Sequence, residues 1–227
     1  MSIADLLVSD ETELAEHYAT PAERHADGLV HAVGLLLALI GGALMLHAAF
    51  MRDVPILSAV AIYALCSMLM LAFSAVYNLT RPSPARRLLR RIDEAGIFLM
   101  IAGSYTPFAI KLLPPGIDLT VVTCVWIAAL TGAAGKVLRP DLSDRFWCYV
   151  YLGFAWGSVL LVGPTLLALP MLSIALLIAG GVAMSLGVPI YLNHTLPFRR
   201  AIWHALVIVG AAAHYGAIFF GVVSPAM

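Results

Sequence analysis

The sequence predicts an all-α integral membrane protein built as a bundle of seven transmembrane helices. Of its 227 residues, 62% are hydrophobic and 11% are charged, whereas soluble domains carry about a quarter charged residues. So little charge cannot cover a surface that faces water, and we therefore expect a surface that faces lipid. The apolar residues also form continuous runs rather than the short alternating segments of a transmembrane β-barrel. Helices are the structures that satisfy the backbone within such runs.

An acidic segment precedes the apolar runs. Residues 1–28 contain seven carboxylates and one basic residue, Arg24. A secretory leader begins basic and becomes apolar within about ten residues, so this segment does not have the pattern of a leader. We predict that residues 1–28 form a cytoplasmic segment and that residues 29–227 form one membrane domain.

Four apolar runs in the first part of the chain are candidates for transmembrane helices, which need about 20 mostly apolar residues. They are Leu29–Met51, Val54–Leu79, Ala95–Leu113 and the shorter Leu119–Gly135. In the third run, Lys111 lies near the end, where its side chain can extend to the interface.

Three further spans follow from the second half of the chain. Residues 146–198 contain no Asp, Glu, Lys or Arg, and this stretch is too long for one crossing at about 1.5 Å per residue. Gly163, Pro164 and Pro170 divide it. The predicted spans are Phe146–Gly163, Met171–Leu192 and Ala201–Val223.

The basic residues predict the orientation of the bundle. With seven spans, eleven Lys and Arg residues fall in segments on the side of the N-terminus, and two, Arg52 and Lys111, fall on the other side. Basic residues concentrate in cytoplasmic loops, so we expect a cytoplasmic N-terminus and an extracytoplasmic C-terminus. Five of the eleven lie in the run Arg81–Arg91, a basic cytoplasmic loop that we expect to attract anionic lipid headgroups.

Composition also limits the other partners and sites. The formal net charge is zero, which gives no indication of a nucleic-acid partner. Cys66, Cys124 and Cys148 show no CxxC or CxxH spacing, so neither a disulfide framework nor a cysteine metal site is predicted. The oligomeric state does not follow from the sequence.

Polar side chains meet at the predicted cytoplasmic ends of four helices. Such groups are costly inside a membrane and indicate a functional or structural role. Two pairs have the i, i+4 spacing that puts side chains on one helix face. The residues are His31 in the first span, Ser74 and Asn78 in the second, Asp93 before the third, and Arg200 and His204 at the seventh. His214, a secondary polar position, lies roughly 15 Å deeper by helix rise.

Four segments resemble the hemolysin III family, the bacterial branch of the progestin and adipoQ receptor (PAQR) superfamily. They are ERHADGLVHAVG at 23–34, SAVYN at 74–78, IDEAGIFLMIAGSYTPF at 92–108 and AIWHALVIVGAAAHY at 201–215. The resemblance covers nearly the whole chain. It implies the same seven-helix topology and a location in the cytoplasmic (inner) membrane of a bacterium.

The resemblance also implies a site. Family members look like zinc-dependent membrane hydrolases, similar in site layout to alkaline ceramidases, in which three histidines bind zinc and an aspartate orients or activates a bound water. Here Asp93 matches that aspartate, Ser74 matches a serine one turn before the first histidine, and His204 matches the last histidine. Asn78 and Arg200 stand at the other two ligand positions. In the family's first motif, Asp27 replaces an asparagine.

Two arrangements are compatible with these replacements. Asparagine is a poor zinc ligand and a guanidinium cannot bind a cation, so we expect no zinc held in the family's manner. In the first arrangement Arg200 supplies the missing positive charge to Asp93, while Asn78 and His204 complete the hydrogen bonds. In the second, His31, Asp93 and His204 form a rearranged metal site. If Arg200 does not face Asp93, its side chain extends to lipid phosphates instead.

Three classes of function follow. The first, which we expect, is a non-catalytic relative with no bound cofactor that acts in membrane homeostasis or sensing. The second is an active metal-dependent hydrolase of lipid amides or esters, ceramide-like, in which Asp93 and Ser74 would be catalytic and a rearranged site would hold zinc. The third is a membrane-perturbing, cytolytic protein.

Overall fold

The computed structural model describes residues 17–139 and 141–224. Within the second range, residues 158–164 are described by their backbone only. Seven long helices run through this part of the chain, and no strand is found there. They are α1 (Pro21–Ala49), α2 (Val54–Leu79), α3 (Arg86–Leu112), α4 (Ile117–Leu138), α5 (Asp144–Leu166), α6 (Met171–Leu192) and α7 (Arg199–Ile218). A π-helical turn, Phe219–Val223, continues α7.

Six of these helices are long and apolar enough to cross a membrane, within the residues searched: α1, α2, α3, α4, α6, and α7 with its π-helical turn. The seventh, α5, packs between α3 and α6. Leu36, Leu39 and Leu44 of α1 are among many large apolar side chains that remain exposed on the outside of the bundle. The predicted all-α membrane bundle is confirmed, and the chain is an integral membrane protein.

Helix α3 is the centre of the bundle. Of its most apolar 18-residue stretch, 56% is buried, compared with 11% for α4. One face contributes Met100 and Phe108 to a core shared with α1, α2, α6 and α7. Another face packs Phe98 against Trp147 of α5 in a smaller core with α4. The residues flanking Asp93 are therefore held from several sides.

The first helix begins earlier than hydropathy predicts, at Pro21 rather than at Leu29. Thr20 caps it by accepting a hydrogen bond from the backbone of Glu23, and proline occupies the first position, an arrangement that favours a helix start. Asp27 and His31 consequently lie on one helix, one turn apart.

The third helix also begins earlier, at Arg86 rather than at Ala95. Arg and Leu are good helix formers, and Arg90 forms an i, i+4 ion pair with Glu94 at 3.1 Å. Half of the run expected to be a basic loop is therefore helical, and Arg86 and Arg91 are buried. The orientation of the termini and the attraction to headgroups remain predictions, and residues 1–16 lie outside the described residues.

Candidate functional site

Asp27, His31 and His204 come together where α1 packs against α7. Oδ1 of Asp27 lies 2.6 Å from Nδ1 of His204, and Oδ2 lies 3.5 Å from Nε2 of His31. The two imidazole rings have centroids 4.3 Å apart. All three side chains are buried, with exposed fractions of 0%, 2% and 7%. We call these three residues the acid–histidine cluster.

Tyr18 covers this cluster from the segment that precedes α1. Its hydroxyl donates to Oδ2 of Asp27 at 2.6 Å and lies 3.2 Å from the carbonyl oxygen of Asn78. Burial, and then the negative charge of Asp27, raise the pKa of Tyr18 above its ordinary value. The phenol therefore stays protonated and remains a donor to the carboxylate.

The other edge of the His204 ring faces α2. Its Nε2 lies 3.4 Å from Oγ of Ser74 and 3.5 Å from Nδ2 of Asn78. The Asn78 amide donates to the carbonyl oxygen of Ser74 at 3.0 Å, and its Oδ1 accepts from Nη1 of Arg200 at 2.9 Å. Asn78 thus contacts its pair partner on α2, Ser74, and both members of the pair on α7, Arg200 and His204.

Asp93 lies next to this second group of residues. Its carboxyl group neighbours the side chain of Ser74 and lies within electrostatic range of Glu94, Arg200 and Arg90. Among the described residues, however, Arg200 bonds to the amide of Asn78 rather than directly to Asp93. The guanidinium faces into the bundle and its Nε is buried. Asn78 thus lies in contact with Arg200, His204 and Ser74, and the substitute ion-pair network of Asp93, Arg200, Asn78 and His204 stays a prediction.

The rearranged site expected from the sequence has a different carboxylate in the structure. His31 and His204 do meet, but Asp27 lies between them, while Asp93 is on the other side of His204. Sequence reasoning noted Asp27 only as a replacement in the first motif and did not place it with His31 and His204, because it started the first helix at Leu29. The i, i+4 spacing of Asp27 and His31 is the signal that identifies the pair once the helix is extended.

Glu94 belongs to a separate buried network. Its two carboxylate oxygens pair with Arg90 at 3.1 Å and with Lys136 at 2.6 Å. Arg90 also contacts Asp144 at 2.6 Å, and Lys136 lies 5.3 Å from the ring centroid of Trp147. These contacts join α3, α4 and α5. Glu94 therefore belongs to a different group of side chains from its neighbour Asp93.

His214 is remote from both groups. It lines a mostly apolar cavity of about 310 Å³ between α3, α5, α6 and α7, together with Ser104, Trp156 and Ser185. Its Nδ1 is buried and has no hydrogen-bond partner among the described residues. It contributes nothing to the residues around Asp93.

The family's zinc site does not fit these residues. A guanidinium is charged at all relevant pH values and cannot coordinate a cation, and Asn78 is already engaged by Arg200. Of the three histidine positions that the resemblance implies, His204 alone keeps a suitable ligand. The three-histidine ligand set that the resemblance implies is therefore not present at these positions.

Comparisons with known proteins agree with the resemblance. A family model described as "Haemolysin-III related" matches residues 23–215. Among similar proteins, Hemolysin-3 of Bacillus cereus is 29% identical over 209 residues, which cover 90% of this chain and 94% of that protein. The Hemolysin-3 homolog of Bacillus subtilis (strain 168) is 28% identical over 202 residues, which cover 88% and 95%.

Proposed function

Because the chain belongs to the hemolysin III family, we propose that it keeps the family's membrane scaffold without its zinc-hydrolase chemistry and acts in membrane homeostasis or sensing. The observation that supports this most directly is the hydrogen bond of 2.9 Å from Nη1 of Arg200 to Oδ1 of Asn78. Asn78 and Arg200 stand at the two positions where the resemblance implies histidine ligands, and their side chains are hydrogen-bonded to each other.

The proposal gives Arg200 an electrostatic role. A carboxylate at the position of Asp93 needs a compensating positive charge, because removing one partner of a buried ion pair costs about 3–5 kcal/mol. In a zinc-binding relative the metal ion would provide that charge. Here the guanidinium of Arg200 acts on Asp93 from across Asn78. Asp93 and Ser74 are thereby retained as structural residues rather than catalytic ones.

We further propose that the protein resides in the cytoplasmic membrane of a bacterium. The similar proteins come from two Bacillus species, and the distribution of basic residues favours a cytoplasmic N-terminus. The residues around Asp93 then lie at the inner face of that membrane, where a sensing role would have access to cytoplasmic solutes and to the inner lipid leaflet.

A lipid-hydrolysis assay tests the central point. The full-length protein in lipid nanodiscs is incubated with ceramide and with ester lipids, with and without added zinc, and free fatty acid is measured. We expect no turnover from the wild type. The double variant Asn78→His, Arg200→His restores the histidines that the resemblance implies, and we expect it to bind zinc at those positions. Turnover by the wild type that is abolished by a chelator and by Asp93→Asn would refute the proposal.

A further inference from the structure

We propose that Asp27, His31 and His204 form a binding site for a divalent transition-metal ion such as zinc, which shares His204 with the family's ligand positions but takes its other two ligands from α1. The site is the acid–histidine cluster on the Nδ1 side of His204. It goes beyond the proposed function, which concerns the residues on the Nε2 side.

The donor set suits such an ion. Zinc sites are commonly built from histidine nitrogens and carboxylate oxygens, with three protein ligands where a position is left for water. Two imidazoles with one carboxylate also suit other late first-row metals. One potential ligand atom from each of the three residues lies within 4.8 Å of the others. An ion placed among them would need small side-chain adjustments and no change in the helices.

His31 provides a second and independent indication. Its side chain is 2% exposed, and neither ring nitrogen has a hydrogen-bond partner among the described residues. The nearest carboxylate oxygen, on Asp27, is 3.5 Å away. Buried polar atoms are nearly always partnered, so an unpartnered imidazole that faces a carboxylate and a second imidazole indicates a missing ligand.

The charge of Arg200 does not occupy this site. Its Nη1 bonds to Asn78, whose Nδ2 is 3.5 Å from Nε2 of His204. These contacts thus place Arg200 with Asn78 on the Nε2 side of His204, while the negative charge of Asp27 lies 2.6 Å from Nδ1 on the cluster side. A cation bound there is directly compensated by a carboxylate.

Two features resemble the surroundings of established metal sites. Hydrogen bonds to a ligating carboxylate fix its orientation, and the Tyr18 hydroxyl makes such a bond to Asp27 at 2.6 Å. Tyr18 also lines a cavity of about 250 Å³ together with His17, Glu23 and Arg200. The cavity therefore lies against Tyr18, whose hydroxyl contacts Asp27.

The position of the site favours a structural or sensory ion over a catalytic one. Asp93 and Ser74 are on the Nε2 side of His204 and so do not face the proposed ion. The ion would join α1 to α7, through residues that are 177 positions apart in sequence. The bound fraction of the site would then follow the metal concentration, and metal binding would stabilise the packing of α1 against α7.

Cobalt binding to the purified full-length protein tests the proposal, because Co²⁺ replaces zinc at such sites and gives visible absorption bands. We expect one saturable Co²⁺ site per chain, displaced by zinc. His31→Ala should weaken binding by roughly 100-fold or more, since it removes one of three protein ligands. Tyr18→Phe should weaken it by roughly 10–100-fold as a loss of an orienting contact.

Matched variants separate this proposal from the proposed function. His25→Ala changes an exposed histidine on the same helix and should leave binding unchanged. If His31→Ala does not fold, His31→Gln is used instead. Zinc should then raise the melting temperature of the wild type but not that of His31→Gln. Absence of saturable binding, or binding unaffected by His31→Ala, would overturn the site. Binding that survives both His31→Ala and Asp27→Asn would instead place the metal with the family residues and contradict the proposed function.

Discussion

Nδ1 of His204 lies 2.6 Å from Oδ1 of Asp27, and this contact turns the opposite nitrogen of the ring towards Asn78 and Ser74. The ring therefore separates two groups of polar residues at the same end of the bundle. On one side are the residues that the resemblance assigns to a zinc hydrolase. On the other side are residues of α1 that form a compact cluster of their own.

The Asp27–His204 contact should be energetically coupled. In metal-free buffer, the double variant Asp27→Asn, His204→Gln should show a coupling free energy of about 0.5–3 kcal/mol, the range for directly interacting residues. The measurement is unfolding of the detergent-solubilised protein, followed by helical circular dichroism. Pairing Asp27→Asn with His214→Gln provides the control, since His214 lies on the same helix away from the cluster; additive effects are expected there. Additivity at His204 as well would show that the contact does not stabilise the fold.

Arg200 should be coupled more strongly to Asn78 than to Asp93. A direct hydrogen bond of 2.9 Å joins Arg200 to Asn78, whereas the effect on Asp93 acts through space. Two double-mutant cycles, Arg200→Gln with Asn78→Ala and Arg200→Gln with Asp93→Ala, compare the coupling free energies. We still expect some coupling in the second cycle, because neutralising Arg200 removes the charge that Asp93 requires. No coupling in either cycle would argue that Arg200 contacts headgroups instead.

Lys136 should be among the residues most sensitive to substitution. Its ammonium group is buried and pairs with Glu94 at 2.6 Å. Lys136→Met leaves the largely buried carboxylate of Glu94 with Arg90 as its remaining ion-pair partner, and the substitution should cost up to about 3–5 kcal/mol, the range for breaking a buried ion pair. The matched control is Arg139→Ala, which removes a bidentate pair with Asp141 whose side chains are 60% and 58% exposed. That loss should destabilise the protein far less, because solvent screens an exposed ion pair. Equal destabilisation of the two variants would contradict this difference in burial.

Tyr18→Phe should destabilise the protein by about 1 kcal/mol, the typical contribution of one hydrogen bond. The effect should also depend on pH. Because burial and Asp27 raise the pKa of Tyr18, the folded state retains a proton that the unfolded state releases above the ordinary pKa of 10.0, so stability falls as pH rises beyond that value. The variant should lose this alkaline decrease. Tyr149→Phe, at a side chain that is 70% exposed, should change neither the stability nor its pH dependence.

The fold could be predicted from hydropathy because long apolar runs in a membrane have few alternatives to helices. The pairs Ser74 with Asn78 and Arg200 with His204 were also predictable, since helical spacing alone places each pair on one face. The place of Asp27 beside His31 and His204 was missed because a boundary set by apolarity ignores the cap at Thr20 and Pro21, which begins α1 before the apolar run. The divergence of Asp93 and Glu94 follows from packing around α3, and local sequence contains no information about those neighbours.

The separation of 177 residues between Asp27 and His204 has a consequence for biosynthesis. The first helix enters the bilayer with its carboxylate and leaves the ribosome long before the last helix is translated. Until α7 is synthesised, that acidic group lacks its contact with His204, although Tyr18 and His31 are already close to it in sequence. The contact of Asp27 with His204, which joins the first helix to the last, can therefore form only after α7 has been synthesised.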